Sequence, residues 1–470
     1  MSKRLILILA LVFVVGITAG AYAEVQNVKV SGDITAYGIS RNLQTKGNKD
    51  FQNENAMATI TRVRVDADLT DNVTTTVRLL NERYWGNEID NVGTNNANTD
   101  VALDLAYVTL KEFLYSPLTF TVGRQELHFG NDMIVGDVDT NNNASTASPF
   151  GQNRRDKDLS ARKAFDAIRA TLNYDPLVID GIVAQVRNND LYTADDVMLY
   201  GVNANYKAGN FKMLKNNIIE GYWFLKQTGR ENGRSVTAAT TGVFGKKVED
   251  TVHVIGARVS TQPMDNMTYQ LEGAYQFGRY VPQAAATPPN HTVARKAWAI
   301  ETALTYDWKK VKYTPSTSLL YAYFSGDHEN NTYTTARGAY RGWDPMYENQ
   351  KYGDIANALF NQTNAHIIGG VATAKPMDDI TLKGEYYAFI WAKPYHDGAT
   401  ITATARDSGA NLIMTQRRFA GQEIDLTATY DYTEDVQLAL MGGMFFPGAS
   451  FAKGNDSAAT EVIGSMKVTF

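Results

Sequence analysis

Residues 461–470, at the C-terminal end of the chain, read EVIGSMKVTF. Apolar residues and glycine occupy every second position of this stretch: Val462, Gly464, Met466, Val468 and Phe470. A period of two is that of a β-strand, in which successive side chains point to opposite faces. We therefore predict a strand that runs to the final aromatic residue without a polar tail.

The same alternation returns along the whole chain, for example in TITRVRVDADLT at 59–70 and MTYQLEGAYQF at 267–277. Each stretch has the length that a tilted strand needs to cross a membrane. The predicted strands lie near 28–39, 56–70, 73–84, 101–111, 118–123, 165–174, 178–187, 197–206, 218–226, 252–261, 267–278, 294–306, 317–325, 365–375, 380–391, 422–431, 436–445 and 460–470.

The lengths of the connections distinguish a membrane barrel from a soluble sandwich. Connections after odd-numbered strands are mostly long, such as 124–164 and 326–364, whereas those after even-numbered strands are short turns such as Asp71-Asn72. Outer-membrane barrels have short periplasmic turns and long extracellular loops. The predicted fold is therefore all-β, a transmembrane antiparallel β-barrel of about 18 strands in contact with outer-membrane lipid. Because no strand edge stays unpaired in hydrocarbon, residues 461–470 are expected to pair with the first strand.

The N-terminus has the pattern of a secretory signal peptide. Lys3 and Arg4 precede an apolar run over residues 5–15, and Ala21-Tyr22-Ala23 forms an A-x-A cleavage site. We predict that residues 1–23 are the signal peptide and that residues 24–470 form the barrel domain. The expected location is the outer membrane, reached through the inner membrane.

The composition excludes several classes of protein. The chain has no Cys, so it forms neither disulfides nor thiolate metal sites, and its formal net charge of −5 gives no basic surface for nucleic acid. The 6 His are scattered, and neither an HExxH nor a GxSxG motif occurs. The sequence predicts a protein that is not an enzyme and has no cofactor. A hydrolase with its residues at the barrel rim stays open as an alternative.

Strand parity directs charged side chains of both signs into the lumen. The bases are Arg62, Arg64, Arg78, Arg169, Arg187, Lys226, Arg258, Lys383 and Lys467. The acids are Asp66, Asp68, Glu82, Asp104, Glu220, Glu272, Glu301, Glu385, Glu423, Asp425 and Asp431. The candidate pore-lining and solute-binding residues are Arg62, Arg64, Arg78, Arg124, Arg169, Arg187, Arg258, Glu272, Glu301, Glu385 and Asp425. The alternative is that these charges pair across neighbouring strands and make the barrel rigid.

Two long loops are candidates for narrowing the lumen. Arg124 follows the lipid-facing parity of its strand, so we expect the strand to bulge or end at Gly123 and to turn Arg124 inward. Arg154, Arg155 and Lys157 would line the same constriction or form a solvated loop. The loop 326–364 carries several aromatic residues, which would either hold sugars or pack into a compact lid.

An ordered set of motifs resembles the alginate-export type of outer-membrane channel. The motifs are GRQELHFGNDMIVGD (123–137), KAFDAIRATL (163–172), YQLEGAYQFG (269–278), YFSGD (323–327), WDPMYENQKYGDIAN (343–357), GQEIDLTATY (421–430) and FFPGASF (445–451). The resemblance implies a monomeric barrel whose last strand, ending in Phe470, is recognised by the barrel-insertion machinery. It further implies passive passage of small polar or anionic solutes, or of a polysaccharide such as alginate. The alternative function is a sleeve around a secreted or electron-transfer partner.

Overall fold

The computed structural model describes residues 26–43, 53–86, 101–138, 159–187, 196–211, 214–230, 248–281, 292–327, 338–395, 398–402 and 411–470. The predicted signal peptide lies outside these residues, as do Arg154, Arg155 and Lys157. The description that follows concerns the described residues only.

The described residues contain one large antiparallel barrel, built from strands that follow one another around the wall. Its strands are β1 (Asn27–Asn42), β2 (Asn53–Thr70), β3 (Val73–Tyr84), β4 (Ala102–Leu110), β5 (Leu118–Gln125), β6 (Phe165–Asn173), β7 (Leu177–Arg187), β8 (Val197–Phe211), β9 (Leu214–Arg230), β10 (Val248–Met264), β11 (Met267–Tyr280), β12 (Val293–Asp307), β13 (Ser316–Phe324), β15 (Ala365–Met377), β16 (Ile380–Trp391), β19 (Phe419–Asp431), β20 (Val436–Pro447) and β21 (Ala459–Thr469). The remaining elements are β14 (Ala339–Tyr340), β17 (Thr400–Thr402), β18 (Asn411–Ile413) and the helix α1 (Asp354–Leu359).

The last strand closes the barrel against the first. Asp33 on β1 is in register with Thr469 on β21, and Asn42 is in register with Thr460 at the other end of the seam. Phe470 continues the ladder, since its backbone N–H donates to the carbonyl of Gly32 at 3.0 Å. The prediction of an antiparallel 18-stranded barrel is thereby confirmed, and so is the pairing of the final stretch with the first strand.

The two faces of the wall differ as the alternation predicts. Exposed outward residues include Leu319 on β13, Leu426 on β19 and Leu440 on β20, which form an apolar surface for lipid. Inward residues are polar near the periplasmic end of the barrel. Toward the extracellular end they are largely apolar or hydrogen-bonded. None of the helices among the described residues is long and apolar enough to cross a membrane.

A buried ion pair lies on the closing seam. Arg41 on β1 is in register with Glu461 on β21, and its guanidinium donates to the Glu461 carboxylate. Both side chains are fully buried. The pair therefore connects the first and last strands of the barrel in a region that water does not reach.

We expect Glu461→Ala to lower the free energy of unfolding by about 3–5 kcal/mol, because it removes the carboxylate that compensates the buried Arg41 charge. The double variant Arg41→Leu with Glu461→Leu should cost less, because it leaves no buried charge. Urea unfolding of the protein in lipid vesicles, followed by Trp fluorescence, measures both values. Equal losses in the two variants would contradict this account.

Candidate functional site

Two segments fold into the barrel and pair with each other there. One is residues 126–138, which follow β5, and the other is residues 341–362, which include α1; together we call them the plug. The backbone N–H of Tyr347 donates to the carbonyl of Ile134 at 3.0 Å, and the N–H of Gly136 donates to the carbonyl of Tyr347 at 2.8 Å. Asn349 N–H donates to the carbonyl of Asp132 at 2.9 Å. The two long loops thus form one inserted unit.

The plug has an apolar core that it shares with the upper wall. Its buried residues include Leu127, Met133, Ile134, Trp343, Tyr347, Ile355 and Leu359. They pack with buried wall residues such as Phe165, Phe224, Phe324 and Phe445. Each fully buried side chain of this size contributes roughly 1.5–3 kcal/mol. Because Trp343, Tyr347 and Tyr352 are buried, the loop 326–364 matches the compact lid of the two alternatives, and these rings do not form a sugar platform.

The first segment of the plug is held by carboxylates of the wall. The backbone N–H of Gly130 donates to Glu220 at 3.0 Å, and that of Asn131 donates to Glu272 at 2.8 Å. The side-chain amide of Asn131 donates to Glu301 at 3.1 Å. These three acids on β9, β11 and β12 therefore satisfy donors that the chain would otherwise bury without a partner.

Arg258 compensates the negative charge of this row of acids. It lies on β10 in register with Glu220 on one side and Glu272 on the other. Its Nε donates to the Asn131 Oδ1 at 2.5 Å, and its Nη1 lies 3.5 Å from Glu220. Three of the predicted solute-binding residues, Arg258, Glu272 and Glu301, are thus occupied by the plug.

The second segment is attached in the same way further around the wall, on β19. Glu423 on β19 accepts hydrogen bonds from the backbone N–H groups of Ile355 and Ala356, both at 2.7 Å. Asp425 accepts a longer bond from the N–H of Asp354, at 3.4 Å. The predicted residue Glu385 pairs instead with Lys383 at 2.7 Å and accepts from the Tyr387 hydroxyl at 3.2 Å.

Each segment meets its carboxylate with a glycine in the left-handed region. Gly130 has φ 64°, and a Cβ there would lie 2.5 Å from the Glu272 carboxylate. Gly353 has φ 75°, and a Cβ there would lie 2.6 Å from the Glu423 carboxyl group. Only glycine combines this backbone conformation with such a close approach.

Asp344 forms a further attachment, at the start of the second segment. Its side chain contacts Lys226 at 3.2 Å and lies 4.0 Å from Arg295, while the Gln276 side-chain amide donates to the Asp344 carbonyl at 2.6 Å. Burial alone would raise the pKa of Asp344, but Lys226 and Arg295 outweigh burial and hold that pKa below its ordinary value. The carboxylate therefore stays charged at neutral pH.

Four of the other predicted arginines pair with neighbouring acids. Arg62 contacts Asp33 at 2.9 Å, Arg64 contacts Asp66 at 2.7 Å, and Arg169 contacts Asp180 at 2.8 Å. Arg78 contacts both Asp104 and the plug residue Glu126 at 2.5 Å. At these four positions the structure has the charge pairing that the sequence left open as an alternative. Arg187, the last residue of β7, is half-buried.

One group of charges still borders open lumen. Arg62, Arg64, Arg78 and Glu126, which we call the charged strip, face inward on β2, β3 and the start of the plug. The side chains of Arg64 and Glu126 are 37% and 36% exposed, so water reaches them. The charged strip is a part of the candidate site where a solute could meet the wall.

The prediction for Arg124 is wrong. The ladders of β5 with β4 and with β6 continue without a register shift through Gly123 and Arg124. Arg124 therefore keeps the outward parity of Val122 and donates from Nη1 to the outward Asp166 at 3.1 Å. An acid on the neighbouring strand, rather than a bulge, compensates the outward guanidinium.

Sequence reasoning missed the residues that join the plug to the wall. Asn131 and Asp344 lie in loops, where no parity assigns a direction, and Gln276 and Tyr222 are uncharged wall residues. The only signal available was the density of polar residues in NDMIVGD (131–137) and WDPMYENQKYGD (343–354). Glu423 had the right parity but no feature that separated it from the other inward acids.

Comparisons with known proteins agree with this architecture. The family model described as alginate export matches residues 34–465, nearly the whole chain. No curated protein matches.

Several solved structures share the barrel. Pseudomonas aeruginosa OpdK with vanillate is 9% identical, with 95% of this chain and 100% of that chain covered and a TM-score of 0.54. Acinetobacter baumannii OccAB1 is 11% identical, with 96% and 99% covered and a TM-score of 0.53. Pseudomonas aeruginosa OccK11 is 11% identical, with 95% and 97% covered and a TM-score of 0.52. OpdK is described as an outer membrane protein. At these identities the similarity concerns the fold.

We expect Gly353→Ala to loosen the second segment, because the added Cβ meets the Glu423 carboxyl group and disrupts its bonds to Ile355 and Ala356. Single-channel recordings in planar bilayers should then show larger or more frequent openings than the unsubstituted protein. Gly398→Ala is the matched control, since Gly398 has φ 78° with no atom within 4 Å of the added Cβ. The two glycines have nearly the same φ, so equal effects would contradict a specific role for the Glu423 contact.

Proposed function

This chain belongs to the alginate export family, and from that premise we propose that its lumen passes small polar or anionic solutes along the charged strip. The protein is a porin-like channel of the outer membrane. Passage is passive, because it follows from diffusion through a lumen that the plug narrows. The observation that carries the proposal is that Arg64 and Glu126 are water-accessible while the plug fills the opposite side.

The mechanism we propose is competition for arginine. Burial would raise the pKa of Glu126, but its hydrogen bond from Arg78 and the nearby charge of Arg62 hold that pKa below its ordinary value. Glu126 is therefore ionised, and it occupies a position that a solute carboxylate would take. An entering carboxylate exchanges with Glu126 and is passed between Arg78, Arg64 and Arg62, whose own acids prevent tight binding. OpdK was solved with vanillate, a small carboxylate, which supports carboxylates as the first solutes to test.

A polysaccharide such as alginate is the larger candidate solute. A polyuronate chain would pass only after the plug had left the lumen, because both of its segments are bonded to the wall. The inward acids of the wall would then be uncovered, which is unfavourable for a polyanion. These features favour small solutes in the plugged state. They also argue against a sleeve around a protein partner, for which an empty lumen would be needed.

Two further proposals come from the sequence. Residues 1–23 are proposed to be removed as a signal peptide, and the strand ending in Phe470 is proposed to be recognised by the insertion machinery. The family and the structurally similar channels are transport proteins, which supports a function other than catalysis.

We expect Glu126→Gln to shift ion selectivity toward anions, because it removes a negative charge from the charged strip and leaves Arg78 paired with Asp104 alone. Arg64→Ala should shift selectivity in the opposite direction. The reversal potential of single channels under a salt gradient measures both shifts, and vanillate should block Glu126→Gln at lower concentration than the unsubstituted protein.

Arg124→Ala is the matched control for these recordings, because Arg124 lies on the outer surface. It should leave both the reversal potential and the block by vanillate unchanged. If neither Glu126→Gln nor Arg64→Ala changes selectivity, solutes take another path and the proposal is incorrect. Block by uronate oligomers in preference to vanillate would point to the polysaccharide instead.

A further inference from the structure

The outer surface of the barrel carries an ion pair that the channel does not use. Arg124 near the end of β5 and Asp166 near the start of β6 are in register, and Arg124 Nη1 donates to Asp166 Oδ2 at 3.1 Å. The Asp166 side chain is 61% exposed and that of Arg124 is 24% exposed. Both residues share the outward parity of Val122 and Ile168, so this exposure is to the surroundings of the barrel and not to its lumen.

The pair lies within an apolar surface rather than above it. Val122 and Ile168, one outward position nearer the periplasm, are exposed. On β4, Ala106 is in register with Arg124. Exposed Leu103, and Val101 just before the strand, lie nearer the extracellular end. Apolar side chains therefore lie both below the pair and above its level on the adjacent strand. A charge at such a depth is costly when lipid covers it.

The outward apolar band of the wall is also short along the membrane normal at this point. The outward apolar residues below the pair run from Leu118 to Val122 on β5, which is about 13 Å along the strand and about 10 Å of height at the usual tilt. On β11 the outward residues run from Met267 to Phe277, about 33 Å along the strand and about 25 Å of height. β5 and β6 have 8 and 9 residues, against 14 in β11. An apolar band shorter than the bilayer is relieved by association with another protein surface.

The ion pair is incompletely satisfied within one chain. Arg124 Nε is buried and has no hydrogen-bond acceptor among the described residues. Asp166 offers most of its carboxylate to the exterior. The exposed carboxylate of Asp166 can therefore accept a further hydrogen bond from a donor on another surface, while the buried Nε shows that Asp166 does not satisfy the whole guanidinium.

We propose that the face formed by Val122, Arg124, Asp166 and Ile168 packs against the same face of a second copy of this chain. A two-fold contact places Arg124 of each copy beside Asp166 of the other, so the face is complementary to itself. The contact removes two charges from lipid and covers the short part of the apolar band. An anionic lipid headgroup fits less well, because the exposed carboxylate of Asp166 repels it. This assembly differs from the monomer that the family resemblance implies, and it does not depend on the solute.

Charge-reversal variants test the contact between the two chains. Arg124→Asp puts two acids on the face, and Asp166→Arg puts two bases there, so each variant alone should be monomeric in mild detergent. When the two variants are co-expressed with different affinity tags, opposite charges meet only between chains. We expect the mixture to yield a hetero-dimer that carries both tags, with the mass measured by native mass spectrometry. Heat-dependent mobility on gels confirms that each variant folds as a barrel.

Cross-linking locates the face in native membranes. Because the chain has no Cys, Ile168→Cys introduces a unique thiol at the proposed contact, and Leu319→Cys introduces one on the exposed outer face of β13, across the barrel. Oxidation should give a disulfide-linked dimer of the Ile168→Cys variant and none of the Leu319→Cys variant. A monomeric unsubstituted protein would overturn the proposal. So would a dimer that survives both single charge reversals or that cross-links through Leu319→Cys.

Discussion

The structure depends on one constraint, that backbone N–H and C=O groups in hydrocarbon must be paired within the protein. A β-sheet satisfies it only by closing, which is why β21 pairs with β1 and why Phe470 continues the ladder to Gly32. Closure fixes the register of every strand and hence the face on which each side chain lies. The buried Arg41–Glu461 pair on the seam and the outward leucines of β13 and β19 are both consequences of that register.

The same constraint governs the plug, although it lies inside the barrel and not in lipid. Segments without regular structure carry unpaired N–H groups away from water, and these groups need acceptors. The wall supplies them as carboxylates, with Glu220 and Glu272 bound to the first segment and Glu423 to the second. Gly130 and Gly353 allow the backbone to approach closely enough. Five of the acids that parity directs into the lumen therefore hold the plug: Glu220, Glu272, Glu301, Glu423 and Asp425. Others, such as Asp66 and Asp104, pair with arginines of the wall.

Charge balance is reached locally in each part of the wall. Arg258 lies between Glu220 and Glu272, and Asp344 is held between Lys226 and Arg295. Such compensation keeps buried charges tolerable, because the desolvation of an unpaired ion is large. The charged strip differs in that Arg64 and Glu126 are both paired and open to water, which suits transient contact with a passing solute. On the outer surface, Arg124 and Asp166 compensate each other's charge in the same way.

The linear pattern of residues predicts the barrel: the strand positions, the faces of the wall, the sorting of short turns and long loops, and the direction of the charges at Arg62, Glu272 or Asp425. These features have a period of two and depend on neighbours along the chain or on the adjacent strand, so a linear pattern contains them. Which charges remain accessible depends on tertiary contacts, because the plug joins residues such as Asn131 and Glu301 that lie far apart in sequence. Loops have no periodicity that assigns a direction, and the outward Arg124 follows from an acid on another strand. The fold is therefore encoded in short stretches of the sequence. Whether a given charged residue holds the plug or faces the lumen depends on contacts that form only after the loops have entered the closed barrel.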